Sequence, residues 1–313
     1  LNELPTAYDY IRLGHPLSCL LEWGVAKSNG LNSENVISFS SKIAPVMAIL
    51  RKNLLDKKNT KIFYTGDSPD SFDSEVLKEI YGYQFELKQV NDVSSIVKEN
   101  SSNILISQPK EICSFELSSN IDFYVNTSSQ LGSILAVNGK ENESYISEIQ
   151  HVRRRETIAM TPANCLIVLN RITNSSLAGT SGNLESNKTK VLDSIAEITG
   201  SKTKAVVASS GLSMQYAIVM GLIHDAQKNH KGKAIKIVVP PNCYGGTNDQ
   251  ARRVAACIDN VEVIDLPVDG DHDMVQSIIL VLDKIATEDA VPYIITEIPT
   301  NPRVEVPDLL KLK

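Results

Sequence analysis

The stretch Lys204–Leu222, KAVVASSGLSMQYAIVMGL, constrains the fold more than any other part of the chain. Ala205–Ala208 predicts a short buried strand, Ser209-Ser210-Gly211 a tight turn, and the spacing from Leu212 onward a helix running to His224. Glycine lets the backbone turn sharply and leaves room for close approach. The first N–H groups of a helix have no intrahelical partner and carry the positive end of its dipole. A strand–SSG–helix corner is therefore a ready cup for a phosphate, although an ordinary α/β turn has the same look.

The rest of the chain repeats this alternation. Leu17, Leu20, Leu21 and Val25 fall at helical spacing before Gly30. Strands are predicted at Val36–Phe39, Lys61–Tyr64, Gln84–Val90, Asn103–Ser107, Ile121–Val125 and Ile134–Val137, with helices at Pro45–Leu54, Ser74–Tyr81, Val93–Glu99, Glu143–Glu156 and Pro162–Ile172. Residues 173–189, rich in Ser, Asn and Gly, read as a linker. Beyond it the pattern restarts, with a helix at Lys190–Gly200, strands at Ala234–Val239, Val261–Leu266 and Tyr293–Thr296, and helices at Asp249–Cys257 and Met274–Ile285. Strands alternating with helices imply an α/β fold whose mostly parallel sheet is covered by helices.

At 313 residues the chain has room for two domains. Its net charge of −6 and lack of a long basic run argue against nucleic acid, and no apolar run reaches the ~20 residues of a membrane span. Five scattered cysteines without a CxxC pair (Cys19, Cys113, Cys165, Cys243, Cys257) predict reduced thiols in a cytoplasmic protein. The first residue is Leu1 rather than Met, so the gene product is expected to begin earlier.

Two parts of the chain align in order. ENVISFSSKIAPVMAIL matches KAVVASSGLSMQYAIVMGL; TKIFYTGDSPDSFDSEVLKEIYGYQFELKQV matches IKIVVPPNCYGGTNDQARRVAACIDNVEVIDLPV; VSSIVKENSSNILISQPKE matches MVQSIILVLDKIATEDAVPYIITEIPTNP. The expected division is residues 1–175 as a first, degenerate copy and 176–313 as a second.

The second copy carries SSG, then PNCYGGT, then EIPTNP about 50 residues later. This order resembles the pyridoxal-phosphate (PLP) enzymes of cysteine and methionine metabolism, the cystathionine γ-synthase, cystathionine β-lyase and methionine γ-lyase family. The resemblance covers roughly residues 185–313 and implies a PLP-dependent transferase of fold type I. It implies that Ser210, Gly211 and Leu212 hold the cofactor phosphate, Leu212 standing where the family has Met. Tyr244 would stack on the pyridine ring and assist proton transfer. Asn301 would bond the cofactor's phenolic oxygen, with Glu297 beside it. The expected substrate is a small sulfur-containing amino acid. The family's pyridinium-binding Asp, Schiff-base Lys and substrate-carboxylate Arg follow the EIPTNP motif, and the sequence stops at Lys313 before reaching them. Lys311 and Lys313 sit too close to that motif to be the Schiff-base lysine and read as solvated.

In the first copy, Tyr10-Ile11-Arg12-Leu13-Gly14-His15-Pro16 resembles the family's Y-x-R-x-G-N-P, whose Tyr and Arg reach a partner's cofactor phosphate. The cofactor motifs of that copy are lost. SSG has become Ser40-Ser41-Lys42, YGGT has become Pro69-Asp70-Ser71-Phe72, ETPSNP has become Ser107-Gln108-Pro109-Lys110, and the Schiff-base segment resembles Asn126-Thr127-Ser128-Ser129-Gln130. An amide such as Gln130 is no nucleophile. The resemblance thus implies one composite cofactor site in which Tyr10 and Arg12 serve Gly211 and Tyr244, in a homo-oligomer or within a pseudo-dimeric chain. Two other classes stay open to this sequence: a catalytically inactive homologue acting as a partner subunit, and a related PLP enzyme outside sulfur metabolism.

The remaining candidates are weaker. Asp269–Asp273 resembles a cation loop without the Glu an EF-hand needs. Arg153–Arg155 reads as a solvated helix face, Trp23 as core, and the histidines lack metal spacing, so no metal is expected.

Overall fold

The structure is a computed structural model and describes residues 10–69, 71–175, 183–268, 273–301 and 304–312. Along the chain the elements are α1 (Pro16–Ser28), β1 (Val36–Phe39), α2 (Ala44–Leu55), β2 (Thr60–Tyr64), α3 (Ser74–Glu79), β3 (Glu86–Gln89), β4 (Ser102–Ser107), β5 (Phe123–Ser128), β6 (Gly132–Val137), α4 (Ile146–Glu156) and α5 (Pro162–Ile172). There follow α6 (Leu184–Thr199), α7 (Gly211–Asn229), β7 (Ile235–Val239), α8 (Gly245–Ala255), β8 (Val261–Asp265), α9 (Met274–Thr287), β9 (Val291–Ile294) and α10 (Leu309–Leu312). No helix of the described residues is long and apolar enough to cross a membrane.

Packing divides the chain into two compact units, Leu1–Ile49 with Thr60–Phe72 and Glu86–Met214, and Leu50–Asn59 with Asp73–Phe85 and Gln215–Lys313. The first holds a six-stranded sheet of order β1-β6-β5-β4-β2-β3. Pairs β3–β2, β2–β4 and β4–β5 are parallel; β5–β6 and β6–β1 are antiparallel. Strands β1, β4, β5 and β6 are buried almost throughout, their short apolar runs and small polar residues alike. The β1–β6 pairing brings Gly132 so close to Phe39 that a Cβ there would lie 2.1 Å from the Phe39 carbonyl oxygen. Gly132 also has a φ of +103°, so no other residue fits.

The unit's core contains a polar knot. The Arg153 guanidinium, fully buried, donates to Glu22 Oε1 at 2.5 Å and to the Ser38 carbonyl at 3.1 Å, and Glu22 Oε1 also accepts the Ser38 amide at 2.9 Å. This corrects the reading of Arg153 as solvated; Arg154 is the exposed member of the run. A charge this deep persists because carboxylate and carbonyl neighbours satisfy it. Trp23 is half-buried rather than core.

The second unit holds a three-stranded, all-parallel sheet of order β8-β7-β9, the same order and sense as β3-β2-β4. Val238, Leu266, Met274, Ile278 and Ile285 form its core. Segments from early in the chain join it. Arg51 Nη2 donates to the Tyr216 hydroxyl at 3.1 Å, and the rings of Tyr81 and Tyr216 lie 6.1 Å apart.

Four local expectations differ. Ala205–Ala208 forms no strand; Val206 is 77% exposed. Only Val93–Ser95 of the expected helix at 93–99 is helical, as a 3₁₀ turn, because Lys98 is drawn into an ion pair with Asp122 and the Val97 carbonyl accepts from Asn103. The expected helix at 143–156 is split, its first part a 3₁₀ helix at Lys140–Tyr145. Helix α6 begins at Leu184 on an Asn183 cap, inside the expected linker, whose residues 176–182 lie outside the described residues.

Candidate functional site

The SSG corner belongs to the first unit. Ser210 precedes the 19-residue helix α7, and its Oγ accepts the Ser213 amide at 3.1 Å, the bond that favours serine at a helix start. The Ser213 hydroxyl lies 2.8 Å from that of Ser210 and 2.9 Å from that of Ser209, so three hydroxyls ring the helix start. Gly211 is exposed, and a Cβ added to it would meet nothing within 4 Å. Leu212 itself is buried. Hydroxyls and a helix N-terminus are donors that fit a phosphate group.

The other motifs lie in the second unit. After β7 the chain runs through PPNCYGGT, and Tyr244 stands directly before α8. Glu297, half-buried after β9, accepts the Tyr244 amide on Oε2 at 2.8 Å and the Thr247 hydroxyl on Oε1 at 2.6 Å. A carboxylate there meets the positive end of the α8 dipole. Glu297 thus ties EIPTNP to PNCYGGT by fixing the loop that carries Tyr244. The Thr247 hydroxyl also lies 3.1 Å from Gln215 Oε1. Thr247 and Gln215 were missed by sequence reasoning; the last letter of YGGT was the available signal for Thr247. Burial, with the charge of Glu297 second, pushes the Cys243 thiol up to about 11, so it stays a neutral thiol. Asn301 sits on an exposed turn beyond the buried Thr300, and the Ile298–Pro299 peptide is cis. Pro302 and the expected cation loop at 269–272 lie outside the described residues.

Tyr10 and Arg12 are in the first unit, in a turn closed by the Leu13 amide on the Tyr10 carbonyl at 2.8 Å. The Arg12 guanidinium stands 4.6 Å from the Tyr10 ring centroid and that of Arg154 5.2 Å from it. The Arg12 carbonyl accepts the Ala159 amide at 2.8 Å. Arg154, a second cation beside the predicted anion grip, gave no sequence signal because its partner is 144 residues away. His15 caps α1, with Nε2 2.7 Å from the Met160 carbonyl oxygen. No group of three or more His, Cys, Asp or Glu suited to a metal occurs among the described residues.

No known protein family matches the chain, and no curated protein does. Solved structures similar to it are aminotransferases by description. A proposed histidinol-phosphate aminotransferase from Erwinia carotovora atroseptica SCRI1043 aligns at 10% identity over 68% of this chain and 87% of that one, with a TM-score of 0.35. Bna3p, a proposed kynurenine aminotransferase from Saccharomyces cerevisiae, aligns at 14% identity over 64% of this chain and 63% of its own, with a TM-score of 0.34. The aminotransferase TlmJ from Streptoalloteichus hindustanus aligns at 11% identity over 45% and 58%, with a TM-score of 0.26. Likeness at this level decides neither substrate nor reaction. The mixed α/β architecture stands on the strand order itself.

Proposed function

We propose that this chain is the cofactor-binding part of a PLP-dependent enzyme that cleaves or replaces a carbon–sulfur bond in a sulfur amino acid, of the cystathionine γ-synthase and β-lyase kind. The observation that carries the reading is the Glu297 network, which joins two motifs some 50 residues apart through Tyr244 and Thr247. Ser210, Gly211 and the Leu212 backbone would hold the cofactor phosphate, Tyr244 would lie against its ring, and Asn301 would bond its ring oxygen. Tyr10 and Arg12 would supply a cationic grip, from the same chain or from a partner copy. When bound, the cofactor supplies a sink for the electrons released beside the substrate's amine. The chain's own part is to bind and orient. Glu297 holds the Tyr244 loop, and the Tyr244 phenol would hold or give a proton near the leaving group. Residues 1–175 and 176–313 are read as unequal copies of one ancestral unit. The setting is read as the cytoplasm, and the pathway as methionine biosynthesis or transsulfuration.

The test is spectral. The purified full-length gene product, incubated with PLP, is expected to absorb above ~400 nm and to lose that band on borohydride reduction, as a lysine-bound cofactor does. Glu297→Gln should weaken PLP binding about tenfold, a loss of ~1.4 kcal/mol. A colourless protein overturns the reading. It would favour the second one, an inactive partner subunit, which draws on Gln130 standing where a nucleophilic lysine would be needed.

A further inference from the structure

The first unit has a cavity of its own, apart from the corner at Gly211 and lined in part by the segments that stand where that copy's cofactor motifs are lost. It measures about 670 Å³ and opens at the carboxyl ends of β2, β4 and β5. From β2 the chain goes on to β3 at one side, and from adjacent β4 to β5 at the other. Neighbouring strands whose connections diverge leave a crevice, and ligands of open α/β sheets bind there. The volume lies within the range of small-molecule sites.

Its walls are fastened in advance. Asn126 Nδ2 donates to the carbonyls of Ile112 and Ser114, at 3.1 and 2.8 Å. Asn29 accepts the Phe115 amide and donates to the Cys113 carbonyl, each at 3.0 Å. These bonds pin the loop that carries Phe115 against Tyr124, ring centroids 6.1 Å apart in an edge-to-face arrangement. Gln89 Nε2 holds the opposite lip through the Gly66 carbonyl at 2.8 Å. The hydroxyl of Tyr124 is engaged by Ser118 and its ring is buried, so Tyr124 backs Phe115, the half-buried aromatic of the cavity lining.

The rim carries one sign of charge. Asp67, Glu111 and Glu116 line the cavity, and no lysine, arginine or histidine among the described residues does. None of the three carboxylates is in an ion pair among the described residues. A cavity with an aromatic wall at Phe115 beneath an anionic rim repels a phosphate and attracts a compact organic cation. We propose that this cavity binds a small organic ammonium compound, its charge held by the rim carboxylates and its alkyl groups packed on Phe115.

Isothermal titration of the full-length protein with choline and with 1,4-diaminobutane tests this, with inorganic phosphate as the control. At least one amine is expected to bind saturably, and phosphate not to compete. The triple variant Asp67→Asn, Glu111→Gln, Glu116→Gln should weaken binding at least about tenfold while circular dichroism and the melting temperature hold. Because those side chains are exposed, Phe115→Ala serves as the second probe and should weaken choline more than the primary diamine, since a quaternary head relies on the aromatic face. No saturable binding of either amine, an affinity indifferent to the triple variant, or equal binding of phosphate would each overturn the proposal.

Discussion

Two stretches of nearly the same character, Val36–Phe39 and Ala205–Ala208, end in different structures. The first is a fully buried strand; the second is unpaired, with Val206 and Val207 exposed. The difference lies in the partner. Strand β1 is held by antiparallel β6, register Val36 to Ala136 through Phe39 to Ser133. The second sheet repeats β3-β2-β4 as β8-β7-β9, but among its described strands nothing corresponds to β5 and β6. Strand propensity is thus realised only where a neighbouring edge accepts its hydrogen bonds. The same contrast appears in burial. Strand β4 is buried over nearly its whole length, whereas β9 alternates half-buried and exposed.

The sharpest way to probe the unit with the six-stranded sheet is its buried ion pair. Arg153→Ala, which strands the Glu22 charge, should lower unfolding free energy by about 3 to 5 kcal/mol in urea titration. A loss below ~1 kcal/mol would mean the knot does not hold the first unit together. Next comes a matched truncation. Ile134→Ala, at a fully buried site in β6, should cost about 3 kcal/mol, and Ile294→Ala, 36% exposed in β9, about 0.5 kcal/mol. Equal costs would erase the contrast between the sheets.

A smaller effect is alkaline. Burial, with the charge of Glu22 second, pushes the Cys165 thiol up to about 12 from its ordinary 9.0. The unfolded chain therefore loses this proton first as pH rises. The contribution is intact below pH 9.0 and is lost as pH climbs toward about 12. The slope is at most about 1.4 kcal/mol per pH unit. Cys165→Ala should flatten that arm of the stability profile, measured by urea midpoints from neutral pH upward. The smallest effect is at the corner, where Ser210→Ala removes the α7 cap and should cost about 1 kcal/mol in thermal unfolding.

Most helices and strands were legible because their apolar periods are local, and so were the Ser210 turn and the Tyr244 loop, whose residue types are dictated by backbone geometry. Thr247 was masked by its neighbours, because a threonine in a helix's first turn reads as a simple capping residue until a carboxylate 50 residues on is seen to meet it. Arg153 read as solvated because its charge is visible in the sequence and its counter-charge, on α1, is not.

The sequence by itself determined where the chain turns at its three motifs and where most of its helices lie, since those depend on a few adjacent residues. Only the tertiary structure decided that Ala205–Ala208 stays unpaired, that Arg153 is buried against Glu22, and that Glu297 secures the Tyr244 loop. Each of these depends on a partner distant in the chain, and whether such a partner arrives is settled by packing.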